Sequence, residues 1–381
     1  MKIDTKLILA GEPTPRILGA VTLPIFQSAT FQYRGAVEEE LRYGRYNNTP
    51  THIALHNKLA ALEGAEAAMV TASGMAAITT TILTLLRAGD HLLAQDCLYG
   101  GTLEFFTKDL PAMGIGVTLV AGSRPESWPA ALKPTTRAFY VEVMTNPLLE
   151  VADHQAVVDF ARRHGLLSII DNTFATPVNF RPIERGFDLS LYSCTKYLNG
   201  HSDLVAGAVI GRKDLVEAIT AKLKRLGTSL DPHACFLLYR GLKTLALRVR
   251  CQNQSAMRIA SFLEGHPLVR RVHYPGLPSH PSHARAAALL EGFGGVLSFE
   301  LRGGAEAAER FLQHLRIAVV APSLGGVETL VTRPVTTSHR GVPAEERERL
   351  GITEGLIRVS VGIEDVDDLI EDIAQALEHA S

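Results

Sequence analysis

From about residue 67 to residue 210 the chain alternates short apolar runs with amphipathic segments, and no other feature restricts its fold as strongly. Ala67 to Val70, Asp90 to Gln95, Ile115 to Val120, Ala138 to Val141, Leu166 to Ile170 and Leu189 to Tyr192 read as buried strands, each short and followed by turn-forming residues. Between them apolar residues recur at helical spacing, as in Ile78, Ile82, Leu85 and Leu86, and a helix is expected from about 153 to 164, ending at Gly165. Strands alternating with helices build a mainly parallel sheet covered on both faces, and such sheets bind ligands beyond the C-terminal ends of their strands.

A chain of 381 residues is too long for one compact core, so two domains are expected. Residues 51–245 would form a large α/β domain. An amphipathic stretch from Leu245 to Leu263 would lead into a smaller C-terminal α/β domain, residues 246–381, containing a strand from Gly294 to Leu301. Residues 1–50 are broken by Pro13, Pro15, Pro24 and Gly35 and read as irregular, either an arm or disordered. A net charge of −2 gives no pull toward nucleic acid or acidic membranes. Cys97, Cys194, Cys235 and Cys251 have neither CxxC nor metal spacing, which fits reduced thiols in a cytoplasmic protein. The N-terminus lacks a signal-peptide apolar core, and no apolar run reaches membrane-spanning length. His280 and His283, flanked by prolines, read as surface histidines rather than metal ligands.

Several residues at the strand ends carry chemical potential. Lys196 lies between two apolar runs, and two readings stand open. It is a solvated lysine in a surface turn, or a buried amine whose lowered pKa makes it a nucleophile toward carbonyls. Ser193 and Thr195 beside it offer hydroxyl donors. Ser73-Gly74-Met75 joins a strand to a helix N-terminus, which serves equally as an ordinary capped turn or as an anion site. Asp171 ends a buried strand, where it either caps the next turn or pairs with a cation. Arg358, amid apolar residues, calls for a carboxylate partner.

These stretches resemble the motifs of one family in one order, from about residue 5 to residue 375. Ser193-Cys194-Thr195-Lys196-Tyr197-Leu198-Asn199-Gly200-His201-Ser202-Asp203 is similar to the cofactor-lysine signature of the Cys/Met-metabolism enzymes that use pyridoxal 5′-phosphate (PLP). This group comprises cystathionine synthases and lyases, methionine γ-lyases and homoserine sulfhydrylases. Asp171-Asn172-Thr173-Phe174-Ala175-Thr176-Pro177, Asn146-Pro147, Tyr99-Gly100-Gly101-Thr102, Ser323-Leu324-Gly325-Gly326 and the stretch around Arg358 match further motifs. The resemblance implies the fold-type I architecture and PLP as cofactor. Lys196 would carry PLP, Asp171 would pair with the pyridine nitrogen, and Tyr99 would stack on the ring and assist proton transfer. Gly74, Met75, Ser193 and Thr195 would hold the phosphate, and Asn146 would approach the phenolic oxygen. Ser323 and Arg358 would bind the substrate carboxylate. Tyr43 and Arg45 would reach the cofactor phosphate of a neighbouring subunit, within a homotetramer built as a dimer of dimers with shared active sites. The chain departs from the family at four places. Asn48-Thr49-Pro50-Thr51 has one residue more than the usual Asn-Pro-Thr, Gly101 stands where methionine γ-lyases have Cys, and Pro322 stands where cystathionine γ-lyases have Glu. Pro322 and Arg42 both replace carboxylates that would meet a distal ammonium, with Arg42 a candidate contact for the distal group.

The implied activity is γ-elimination or γ-replacement on a methionine-like or O-acylated homoserine substrate. Cystathionine β-lyase is the alternative within the family, and an aminotransferase or a non-catalytic PLP-binding protein lies outside it.

Overall fold

The large sheet forms because its strands are apolar on both faces and are separated by segments long enough to cross over. The computed structural model describes residues 1–35 and 41–380. Seven strands are β1 (Ala67–Thr71), β2 (His91–Gln95), β3 (Gly116–Val120), β4 (Thr136–Glu142), β5 (Leu167–Asp171), β6 (Leu189–Ser193) and β7 (Gly207–Gly211). They lie in the order β1-β7-β6-β5-β4-β2-β3, and β7 alone runs against the others. Side chains alternate between the two faces. Ala68, Val70, Ala208 and Ile210 pack toward the helices Pro50–Glu63, Pro232–Leu242 and Leu245–Glu264. Met69 and Val209 pack on the opposite face, against Gly74–Leu85 and Lys213–Leu226.

A second sheet gathers β8 (Val269–His273), β9 (Val296–Leu301), β10 (Val319–Val320), β11 (Leu330–Thr332) and β12 (Leu356–Ser360), in the order β10-β11-β12-β9-β8. The helix Leu245–Glu264 joins the two cores. Its first turns bury Leu245, Ala246 and Val249 with the large sheet, and its last turns bury Ile259, Ala260 and Leu263 with the small one. The fold is thus an α/β protein with a mostly parallel seven-stranded sheet and a smaller C-terminal five-stranded sheet domain. Among the described residues no helix is long and apolar enough to cross a membrane.

Two expectations are corrected. The first 50 residues are not wholly irregular: Ile3–Leu9 is helical, with Leu7 buried. So short a helix is marginal alone. Here the buried Lys58 donates from Nζ to the carbonyls of Leu7 (2.8 Å) and Ile8 (3.2 Å), which the helix end leaves open. That partner lies 50 residues away and leaves no local trace. Residues 36–40 of this arm lie outside the described residues. His280, expected on the surface, is buried with its Nε2 3.1 Å from the Leu148 carbonyl, because the proline-rich loop folds back onto the large domain.

The turn after β6 carries Lys196 and is fixed from below. The Gly200 amide donates to the Lys196 carbonyl (2.8 Å) and the Asn199 amide to the Cys194 carbonyl (3.1 Å). Buried Arg248, on the joining helix, donates to the carbonyls of Tyr197 (2.8 Å) and Gly241 (2.9 Å) and to Thr244 Oγ1 (3.2 Å). Replacing Arg248 by Met leaves the buried Tyr197 carbonyl without its donor and takes the charged donor from the Gly241 carbonyl, which keeps Thr244. It is expected to destabilise the protein by about 3 kcal/mol, measured as a lower denaturation midpoint in urea.

Candidate active site

Ten of the residues singled out in the sequence line one cavity of about 640 Å³ at the C-terminal ends of β4, β5 and β6. Each arrives by its own local rule. Ser73 caps the helix Gly74–Leu85, its Oγ accepting from the Ala76 amide at 3.0 Å. The next N–H groups, those of Gly74 and Met75, therefore stand at a helix N-terminus facing the cavity. A side chain at position 74 would place its Cβ 2.8 Å from Ser193 Cβ, so glycine lets this helix end lie against the Ser193 turn. Helix N–H groups, Ser193 and Thr195 together make a donor set suited to a phosphate.

Asp171 and Glu142 are paired in register on neighbouring parallel strands, so both side chains leave the same face, and both reach the cavity. Asp171 Oδ1 accepts from the Thr173 amide (3.0 Å) and hydroxyl (2.5 Å). Burial lifts the Asp171 carboxyl while these donors oppose the rise. Burial and then the Asp171 charge push Glu142 far above the usual carboxylate range. Among the described residues neither carboxyl has a salt-bridge partner. A protonated pyridine nitrogen beside Asp171 would supply the missing cation.

Opposite chemistry gathers around Ser323. Lys196 Nζ donates to Ser323 Oγ at 2.6 Å, and Arg358 Nη2 donates to the Ser323 carbonyl at 2.7 Å. Arg358 Nη1 donates to Asn146 Oδ1 at 3.3 Å, while its buried Nε has no partner among the described residues. Ser323 holds φ at 88°, in a region that disfavours residues with a side chain. Burial, and then the Arg358 charge, lower the Lys196 amine to about 8. Burial lowers the Arg358 guanidinium to about 10, still cationic at neutral pH. These groups match what PLP and an amino-acid carboxylate require: a reactive amine, an anion cradle, a carboxylate without a cation and an unsatisfied guanidinium.

Tyr99 and Met75 form an apolar side of the cavity with Ile78, Phe174, Val205, Pro322 and Leu324. Gly101 stands behind this wall, where a Cβ would come within 2.9 Å of the Tyr99 ring and 3.2 Å of the Met75 sulfur. Tyr43, Arg45 and Arg42 do not line the cavity of their own chain. Arg45 donates to the Lys224 carbonyl and lies over the rings of Tyr43 and Tyr46. After Arg45 the chain makes a tight turn, with Asn47 in the left-handed region and Thr49 capping the helix Pro50–Glu63.

Sequence reasoning passed over Glu142, Thr173, Thr337 and Ser338, all of which line the cavity. Glu142 carried a usable signal, since it ends a buried strand as Asp171 does. Ser338, bonded to His339 Nδ1 (2.9 Å), lies on a C-terminal loop with no periodic pattern.

The sequence profile described as "Cys/Met metabolism PLP-dependent enzyme" matches residues 4–378. A cystathionine γ-lyase of Bacillus subtilis (strain 168) is 44% identical over 381 residues, covering all of both chains. A cystathionine β-lyase of Lactococcus lactis subsp. cremoris (strain MG1363) is 43% identical over 378 residues, covering 99% of each. Among solved structures, a cystathionine γ-lyase from Lactobacillus plantarum complexed with L-serine superposes with a TM-score of 0.95 at 38% identity, covering 100% of this chain and 99% of that one.

In cofactor-free protein, alkylation of Lys196 is expected to rise with pH and reach half its maximum near pH 8, because burial disfavours the ammonium. Mass-spectrometric quantification of the Lys196 peptide across pH reads this directly, and a midpoint near that of surface lysines would mean the amine is solvated.

Proposed function

As the chain belongs to the Cys/Met-metabolism family of PLP-dependent enzymes, we propose that it is a carbon–sulfur lyase that eliminates the Cγ substituent of a thioether amino acid. With water, the reaction yields 2-oxobutyrate, ammonia and a thiol. The observation that carries this reading is the hydrogen-bonded chain Lys196–Ser323–Arg358–Asn146 facing an apolar wall without a carboxylate.

Bound PLP supplies an electron sink for the pair released when the substrate's α-C–H bond breaks. The protein groups do the rest. Arg358 binds the α-carboxylate, offering its unpartnered Nε beside the two Nη groups. Ser323 orients the Lys196 amine through its Oγ. Lys196, with its pKa near 8, takes the α-proton at Nζ and gives it up again before it takes a β-proton, which Tyr99 helps to pass to the departing sulfur. Asp171 holds its charge toward the ring nitrogen, helped by Thr173. Gly74, Met75, Ser193 and Thr195 hold the phosphate. Pro322 and Leu324 leave the distal part of the cavity neutral, which favours an uncharged thioether over a distal ammonium. Arg42 would meet the distal group only from a neighbouring subunit.

The names of the relatives favour a second reading, elimination from cystathionine at Cγ or Cβ. Incubation with methionine, cystathionine and O-succinylhomoserine separately, with the oxo-acid identified by mass spectrometry, decides. 2-Oxobutyrate chiefly from methionine supports the first reading, and 2-oxobutyrate chiefly from cystathionine supports the γ-form of the second. Pyruvate from cystathionine moves the activity to Cβ. Arg358→Leu is expected to raise KM for the amino acid by about 100-fold, the loss of one charge-assisted carboxylate contact.

The working assembly in this reading is a homotetramer in which Tyr43 and Arg45 serve the cofactor phosphate of the adjoining subunit. The arm leaves Leu18, Val21, Ile25 and Leu41 exposed, as an interface segment would before assembly. Arg45→Ala should lose cofactor on dialysis faster than the parent. Equal retention would remove Arg45 from the phosphate site.

A further inference from the structure

Glu142 is a buried carboxyl that the proposed mechanism does not use. It ends β4 as Asp171 ends β5, the two are register partners, and both face the cavity. Asp171 has two donors in Thr173. Among the described residues, the one donor hydrogen-bonded to the Glu142 carboxyl is the Tyr99 backbone amide, at 2.7 Å. That amide precedes the short helix Gly100–Glu104, so the bond sets where the Tyr99 ring stands over the cavity. The strand itself is anchored from the other side, the Glu142 amide donating to Gln95 Oε1 at 3.0 Å.

We propose that Glu142 is a positioning residue for Tyr99 and forms with Asp171 a carboxyl pair that carries one negative charge, left on Asp171. This rests on the PLP assignment and adds a division of labour to it. Two carboxylates side by side in a buried site cannot both ionise without a cation, and the better-donated one keeps the charge. The titratable groups around Glu142 are Asp171 on β5, Tyr140 on its own strand, and Cys97 and Tyr99 on the turn after β2. The Cys97 thiol is pushed up to about 12 by burial and by Glu142, and Tyr140 is pushed up by burial, Asp171 and Glu142. Lys196 and Arg358 share the cavity but are hydrogen-bonded to Ser323. A neutral Glu142 accepts from Tyr99 through one oxygen and adds no second charge beneath the ring, so the field on the cofactor nitrogen comes from one place.

The test reads the bound cofactor without substrate, so its failure is separate from failure of the substrate assignment. The visible band of the holoenzyme is titrated from about pH 6 to about pH 10 in the parent, Glu142→Gln and Asp171→Asn. Glutamine keeps the acceptor and lacks the charge. Its midpoint is expected within about 0.3 pH of the parent, whereas Asp171→Asn moves it down by about one pH or more. Glu142→Leu, which has no acceptor, should release cofactor about ten-fold more readily on dialysis at unchanged far-ultraviolet circular dichroism, through loss of the Tyr99 bond. A downward move in Glu142→Gln as large as that in Asp171→Asn would overturn the single-charge pair. Retention by Glu142→Leu equal to that of Glu142→Gln would overturn the positioning role. Should a variant fail to fold, the parent's infrared spectrum still decides. A protonated-carboxyl stretch is expected to persist at a pH where Glu63, lifted by burial to about 7, is ionised. Its absence at that pH overturns the proposal.

Discussion

The site depends on Ser323 holding Lys196 and Arg358 at once. One residue accepts from the lysine through its hydroxyl and from the arginine through its carbonyl. It can do both only because its backbone sits at φ 88°, a conformation that costs energy for any residue with a side chain. That strain is tolerated because the chain that follows Ser323 is held at two points. Gly325 donates to Ser360 Oγ (2.8 Å) on β12, and Gln252 donates to the Gly326 carbonyl (2.8 Å) from the joining helix. The small sheet thus delivers Ser323 and Arg358 to a lysine that belongs to the large one.

Two cations, two neighbouring carboxyls and a helix N-terminus in one cavity form an unbalanced arrangement without ligands. Arg358 has an unpartnered buried Nε, and Asp171 has hydroxyl and amide donors but no cation. Each deficit matches one part of a PLP–amino-acid pair: carboxylate for guanidinium, pyridinium for aspartate, phosphate for the helix end. Preorganised polar groups of this kind are expensive to fold around, and their cost is offset by the two large cores and by the helix that joins them. Arg248 shows the same economy, satisfying the carbonyls below the lysine turn without a carboxylate of its own.

In the proposed reading, the choice among the family's reactions is made at the apolar end of the cavity and at its mouth. Tyr99 and Val205 are exposed there, and Pro322 and Leu324 border it. Gly101 has no room for a larger side chain unless the Tyr99 ring or Met75 moves. Relatives with 43–44% identity carry both γ- and β-lyase names, so overall likeness does not select the reaction; a few side chains at this end must.

The sequence by itself determined the element order of the large sheet, the presence of a second domain and most of the cavity's polar groups. Strand and helix periodicities are local, and the motif residues sit at strand ends and helix starts that those periodicities reveal, as with Ser73 and its cap. Only the tertiary structure decided what depends on distant pairs. The Ile3–Leu9 helix is closed by Lys58, and His280 is buried by the Leu148 carbonyl. Glu142 becomes a partner of Asp171 only because parallel pairing aligns two strand ends that lie 29 residues apart, from 142 to 171. Ser323 meets Lys196 across 127 residues. Periodicity reports which face of an element is buried but not which remote group it is buried against, and hydrogen bonds and shared charges are made between those remote groups.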